Sequence, residues 1–156
     1  MAEMNSISHS VINVHDLHEF EELWCGALGA KKKNSVNFDT EDALRGRSVH
    51  DSYVLQDHVF VVGLAERPMP MPPEDQLRGF NGFRYAFYVE RAKFGQIQEE
   101  FKKRNIAFEG PVDHSDKGPL GQSIYFKDSS GNFFEFVWRR DEGTSEFKKP
   151  HFVGLG

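Results

Sequence analysis

An internal repeat constrains the fold of this chain more than any other feature. The segment HSVINVHD at 9–16 can be set over RYAFYVER at 84–91 so that a strand start and a helix start coincide, which gives a period of about 75 residues. Each copy has the pattern of a strand, an amphipathic helix and three further strands. One such unit cannot bury its sheet face alone, so two should pair.

The repeat predicts an α+β fold in which two tandem βαβββ modules form a curled mixed sheet around a shared cavity. In the first module, Asp16 and Glu19 have capping-box spacing, and Gly29 ends the helix. The predicted strands are 7–14, 32–38, 47–55 and 58–64 in the first module, and 84–89, 106–109, 123–127 and 133–138 in the second, whose helix is 92–104.

The 156 residues are expected to form a single domain. Module one covers 7–66, a proline-rich linker covers 67–82, module two covers 83–140, and a C-terminal tail covers 141–156. Four prolines between positions 67 and 73 exclude regular structure in that part of the linker. The polar tail has two interpretations: it docks on the body or on a partner subunit, or it stays loose.

Composition excludes several classes of partner. The net charge of −5 provides no basic field for phosphates, so nucleic acid and anionic membrane are not expected as partners. The one cysteine, Cys25, cannot form an internal disulfide and is predicted to be a buried small hydrophobic residue. No leader pattern or long apolar run is seen, so the predicted location is cytoplasmic. We expect a homodimer, the commonest closed assembly.

Three segments carry a resemblance to a known family. They are HSVINVHDL at 9–17, LWCGALG at 23–29 and YFKDSSGNFFEFV at 125–137, and their order on the repeat resembles the vicinal oxygen chelate superfamily. That superfamily includes glyoxalase I, fosfomycin-resistance proteins, extradiol dioxygenases and bleomycin-resistance proteins. The stretches SYVLQDHVFVVGLA and EDQLRGFNGFRYAFYVE are most similar to its 4-hydroxyphenylpyruvate dioxygenase branch.

The resemblance implies metal ligands on the first and last strands of each module. The corresponding positions here are His9, Val61 or Val62, Arg84 and Glu135. An imidazole from His9 and a carboxylate from Glu135 suit Fe(II), Mn(II), Zn(II) or Ni(II). His58, at the start of a predicted strand, is the best substitute ligand, although a strand-end histidine without a metal role is the more ordinary interpretation.

Arg84 departs from the family pattern, which usually has a second histidine at this position. A guanidinium has no lone pair to give to a metal, so Arg84 cannot be a ligand. It is predicted to pair with Glu135 or to bind the carboxylate of an anionic ligand. Glu135 lies in the apolar string FFEFVW, where a carboxylate requires a cation, a metal or a proton.

Two more residues are candidates for substrate binding. His114 lies in PVDHSDKGPLGQ, where related proteins have a loop that covers the substrate, although a solvated loop histidine is the favoured interpretation. Tyr125 belongs to the aromatic residues that alternate along the strands, and an aromatic lining suits a flat ligand.

These observations support three hypotheses. The first is an enzyme, a dioxygenase, lyase or isomerase, that uses a divalent metal at His9 and Glu135 on a small anionic or aromatic molecule, with Glu135 as a possible catalytic base. The second is a metal-free binding protein of the bleomycin-resistance kind, anchored by Arg84 and Glu135. The third is a structural or regulatory domain whose site has decayed and whose surface binds another protein. Fold alone does not choose among them.

Overall fold

A computed structural model describes residues 10–37, 49–55, 58–64 and 84–147. The chain forms two compact units, Met1–Pro68 with His151–Gly156 and Met69–Pro150. The predicted linker at 67–82 lies outside the described residues, as does the tail beyond residue 147. None of the helices in the described ranges is long and apolar enough to cross a membrane.

The first unit contains one helical segment and one four-stranded sheet. Its strands are β1 (Ser10–Val14), β2 (Lys31–Asn37), β3 (Val49–Leu55) and β4 (His58–Leu64), in the spatial order β1-β4-β3-β2. β1 pairs with β4 in parallel, and the other two pairings are antiparallel. Helix α1 spans Leu17–Glu21 and continues as a π-helix over Glu22–Ala27.

The helical segment begins where the sequence predicts. The Asp16 carboxylate accepts hydrogen bonds from the backbone N–H groups of His18 and Glu19, at 2.8 and 3.1 Å. The second half of the segment, Glu22–Ala27, is a π-helix rather than the predicted α-helix. Trp24 is nevertheless fully buried. Cys25 is half-buried, so its assignment to the core was wrong; burial, followed by the Glu21 carboxylate, raises the pKa of its thiol.

The second unit repeats the arrangement of the first. Its elements are β5 (Arg84–Tyr88), α2 (Arg91–Lys103), β6 (Phe108–Asp113), β7 (Leu120–Lys127) and β8 (Phe133–Arg139), with the strand order β5-β8-β7-β6. β8 pairs with β5 in parallel and with β7 antiparallel. The α+β class and the two βαβββ modules are therefore confirmed.

The strand register also aligns the two modules. Val11 lies opposite Val61 in the first sheet, as Ala86 lies opposite Glu135 in the second. Of the two valines that the sequence left open, Val61 is thus the equivalent of Glu135.

The two faces of the second sheet differ in character because side chains alternate along each strand. One face packs against α2: the Phe101 ring contacts the rings of Phe108, Phe126 and Phe136 at centroid distances of 5.9, 4.9 and 6.3 Å. Burying one such phenyl ring contributes about 1.5–3 kcal/mol. The opposite face contains polar side chains, and it is there that the candidate site lies.

Strands β6 and β7 are longer than predicted, so the segment between them is only 114–119. Pro111 lies within β6, an edge strand whose register shifts between Glu109 and Val112. A proline is tolerated in such a bulge at a sheet edge. Gly110 has a φ of +121° there, and a Cβ on it would lie 2.7 Å from the Ser123 carbonyl oxygen.

The first part of the C-terminal tail packs on the second unit. Glu142 accepts a hydrogen bond of 2.9 Å from the backbone N–H of Arg91, at the start of α2. The rings of Phe147 and Tyr88 lie 5.3 Å apart. Burial, with the Glu142 carboxylate as the next contribution, raises the pKa of Tyr88 to about 12.

The packing around Trp138 gives a test of the second unit. In Gly121→Ala the new methyl group would lie 2.5 Å from Cδ2 of Trp138, whose ring is also covered by the Arg91 guanidinium at 4.6 Å. We expect the free energy of unfolding, measured in urea, to fall by about 1–3 kcal/mol.

Gly95→Ala is the matched control, because nothing lies within 4 Å of a Cβ at this helical position. It should raise the free energy of unfolding by about 0.5–1 kcal/mol. Equal effects of the two substitutions would contradict the packing described for Trp138.

Candidate functional site

Glu135 lies in the middle of β8, between β5 and β7. Its register partners are Ala86 and Tyr125, and its side chain is only 11% exposed. Strand alternation points this side chain away from α2, toward the same face as Phe133. A carboxylate so placed has lost most of its water and depends on protein groups for compensation.

Arg84 supplies a compensating charge. Its Nε lies 3.2 Å from Oε2 of Glu135, and its guanidinium carbon lies 4.7 Å from the centre of the Tyr125 ring. The ion pair fixes one edge of the guanidinium, and the ring supports its plane through a cation–π contact. The Arg84 side chain is 30% exposed, so solvent reaches it.

Ser123 engages the second carboxylate oxygen. Its hydroxyl donates a hydrogen bond of 2.6 Å to Oε1 of Glu135, and the residue is fully buried. The sequence analysis did not identify Ser123. The available signal was its position two residues before Tyr125, which puts both side chains on one face of β7.

His114 joins the same group from the end of β6. Its Nε2 lies 3.0 Å from the Ser123 hydroxyl and 3.2 Å from the Tyr125 hydroxyl, and the residue is 4% exposed. The favoured prediction of a solvated loop histidine was therefore wrong. The backbone N–H of His114 donates to the Gly121 carbonyl at 2.9 Å, which extends the β6–β7 pairing by one residue. The ring then lies on the buried side of the turn, against Ser123 and Tyr125.

Arg140 holds the turn that carries His114. Its guanidinium donates to the carbonyl oxygens of His114, at 3.1 Å, and Leu120. It also donates to the Asp113 carboxylate at 2.9 Å. The 114–119 turn is thus closed by hydrogen bonds at both of its ends.

Two predicted metal ligands cannot be placed. His9 lies outside the described residues. His58 begins β4, but its side chain is not among those described. Their assignment as ligands stays a prediction.

The described residues do not by themselves fit a divalent metal. Within 10–37, 49–55, 58–64 and 84–147, no group of three or more His, Cys, Asp or Glu side chains is arranged to hold one. Glu135 contacts the Ser123 hydroxyl through one carboxylate oxygen and the Arg84 guanidinium through the other. A metal bound to Glu135 would experience the permanent positive charge of Arg84.

The sequence predicted four of the five residues in this network, although their functional roles remain predictions. Glu135, Arg84, Tyr125 and His114 come together, and Ser123 connects Glu135 to His114. The arrangement presents a partly exposed guanidinium that Glu135 contacts at Nε and the Tyr125 ring contacts on one face. A guanidinium fixed in this way can bind a carboxylate or a phosphate.

Comparisons with solved structures reveal the same fold in fosfomycin resistance proteins. FosX from Mesorhizobium loti is 18% identical, with 86% of this chain and 92% of that chain covered and a TM-score of 0.61. FosX from Listeria monocytogenes is 15% identical, with 92% and 98% covered and a TM-score of 0.65. At these identities the likeness concerns the fold.

Another structure of the Listeria monocytogenes protein carries a glutamate-to-glutamine mutation and is complexed with Mn(II) and 1S,2S-dihydroxypropylphosphonic acid. It is 16% identical, with 87% of this chain and 93% of that chain covered and a TM-score of 0.64. A search of curated proteins found no match. The finer resemblance to the 4-hydroxyphenylpyruvate dioxygenase branch stays a prediction.

A family model matches the sequence over most of its length. The model describes the Glyoxalase/Bleomycin resistance protein/Dioxygenase superfamily, and the match covers residues 6–136. The match covers module one and most of module two, and it ends just after Glu135. The sequence resemblance is thereby confirmed, and the chain belongs to the glyoxalase/bleomycin resistance protein/dioxygenase superfamily.

Proposed function

We propose that this protein binds a small organic anion at Arg84. We also propose that the negative charge of the Glu135 carboxylate is balanced by Arg84 rather than by a metal ion. The observation that carries the proposal is the engagement of both Glu135 oxygens, one by Arg84 at 3.2 Å and one by Ser123 at 2.6 Å. This corresponds to the metal-free hypothesis drawn from the sequence, with Arg84 and Glu135 as polar anchors.

The geometry around Arg84 favours a small anion with two oxygens in one plane, such as a carboxylate. A guanidinium has five N–H donors in one plane and can bind a carboxylate through two of them. Glu135 holds it at Nε, and Tyr125 supports its face. Because the Arg84 side chain is 30% exposed, a small anion can approach its guanidinium from solvent.

The second candidate is a metal-dependent enzyme of the superfamily. It is favoured by the buried carboxylate of Glu135 on the last strand and by the Mn(II) complex of the Listeria monocytogenes neighbour. In this chain the ligands would be Glu135 with His9 and His58, and the ion would compete with Arg84 for the carboxylate. The metal would supply Lewis-acid polarisation of substrate oxygens.

Anion binding can be tested with benzoate, a carboxylate on an aromatic ring. We expect calorimetry to show that the protein binds benzoate equally well with and without a chelator. Arg84→Gln should weaken binding by at least roughly tenfold, because a charge-assisted hydrogen bond is lost.

Arg104→Gln is the matched control, since Arg104 pairs with Glu100 on α2, away from the site. Its benzoate affinity should equal that of the wild type. Binding that depends on added metal, or that survives in Arg84→Gln, would contradict the proposal.

Metal content provides an independent test. After incubation with Fe(II), Mn(II), Zn(II) or Ni(II) and removal of excess ion, elemental analysis should find well below one metal per chain, because Arg84 already occupies the Glu135 carboxylate. Near-stoichiometric metal that disappears in both His9→Ala and Glu135→Gln would instead establish the enzyme candidate.

A further inference from the structure

We propose that Ser123 and His114 are positioning residues, which orient the Glu135 carboxylate and, through it, the Arg84 guanidinium. The contacts form one chain: His114 Nε2 to Ser123 Oγ at 3.0 Å, Ser123 Oγ to Glu135 Oε1 at 2.6 Å, and Glu135 Oε2 to Arg84 Nε at 3.2 Å. The consequence for ligand affinity rests on the proposed function; the order of the hydrogen bonds does not.

The number of protons fixes the direction of each hydrogen bond. A serine hydroxyl has one proton, and a carboxylate that is ion-paired with an arginine, as Glu135 is with Arg84, only accepts. The Ser123 hydroxyl therefore donates its proton in the hydrogen bond to Glu135 and has none left for His114. The short contact between Ser123 Oγ and His114 Nε2 then requires His114 to donate, so the imidazole carries a proton on Nε2.

The Tyr125 hydroxyl completes the geometry around this nitrogen. Its oxygen lies 3.2 Å from Nε2 of His114. With the proton on Nε2, as inferred, the Tyr125 oxygen accepts from the same N–H as Ser123. Ser123 is fully buried and Tyr125 is 3% exposed. Without water to replace a lost partner, these bonds are costly to break.

The backbone of the β6–β7 turn holds the histidine end of the chain in place. The backbone N–H of His114 donates to the Gly121 carbonyl, and the His114 carbonyl accepts from the Arg140 guanidinium. The same guanidinium pairs with the Asp113 carboxylate. The imidazole is thus attached to a closed turn on one side and to Ser123 on the other. The turn thereby fixes the position of the His114 ring, which orients Ser123, and Ser123 orients the Glu135 carboxylate on β8.

The tautomer of His114 tests the proposal in the unmodified protein. In long-range proton–nitrogen correlation spectra, with the His114 signals identified by their loss in His114→Asn, we expect the pattern of an imidazole with a proton on Nε2. A neutral ring with its proton on Nδ1 would overturn the proposal, because Ser123 would then have to donate to His114.

Substitution at Ser123 tests the positioning role itself. Ser123→Ala should weaken and shift the Arg84 Nε–H signal and reduce benzoate affinity roughly tenfold, the fold-change that corresponds to one charge-assisted hydrogen bond. Ser123→Thr retains the hydroxyl and should restore both. Ser145→Ala, at an exposed serine of the tail, is the control and should change neither.

Two results would overturn the positioning role: an Arg84 signal unchanged in Ser123→Ala, or a Ser123→Thr protein with the Arg84 signal of Ser123→Ala. If the wild type binds no benzoate, the proposed function fails. The tautomer and the Arg84 signal would still decide the role of Ser123 and His114, so the two failures are distinguishable.

Discussion

The ion pair between Arg84 and Glu135 is the interaction on which the candidate site depends. Moving a carboxylate into the middle of a sheet costs several kcal/mol, and this cost must be offset by a nearby opposite charge and by hydrogen bonds. Arg84 provides the charge at 3.2 Å, and Ser123 provides a hydrogen bond at 2.6 Å. His114 and Tyr125 are arranged around this pair.

The two faces of the second sheet have different roles: one packs against α2, and the other carries the candidate site. The Phe126 ring contacts the rings of Phe134 and Phe136, at centroid distances of 5.2 and 5.0 Å, on the side that packs against α2. Tyr125 and Glu135, their neighbours in sequence, point to the other side. Alternation along two adjacent strands is therefore sufficient to build an aromatic core and a polar cluster from one continuous stretch of sequence.

The sequence predicted the features that depend on periodicity. The repeat predicted the two modules, and the family resemblance then placed Arg84 and Glu135 at ligand positions on the first and last strands of the second module, which pair in the structure. Ser123 was missed because its one signal, a position two residues before Tyr125, does not distinguish it from any other serine in a strand. His114 was misjudged because the prolines and glycines around it are typical of a solvated loop. In the structure it follows the bulged edge strand β6. Its backbone N–H bonds to the Gly121 carbonyl and its carbonyl accepts from the Arg140 guanidinium, so the residue is buried.

The most direct measurement of the central claim is a double-mutant cycle on the free energy of unfolding, with Arg84→Met, Glu135→Gln and the double variant. If Arg84 compensates Glu135, its loss leaves a buried charge unpaired only while Glu135 is present. The account predicts a coupling free energy above about 1 kcal/mol. Effects that add to within about 0.5 kcal/mol would contradict it.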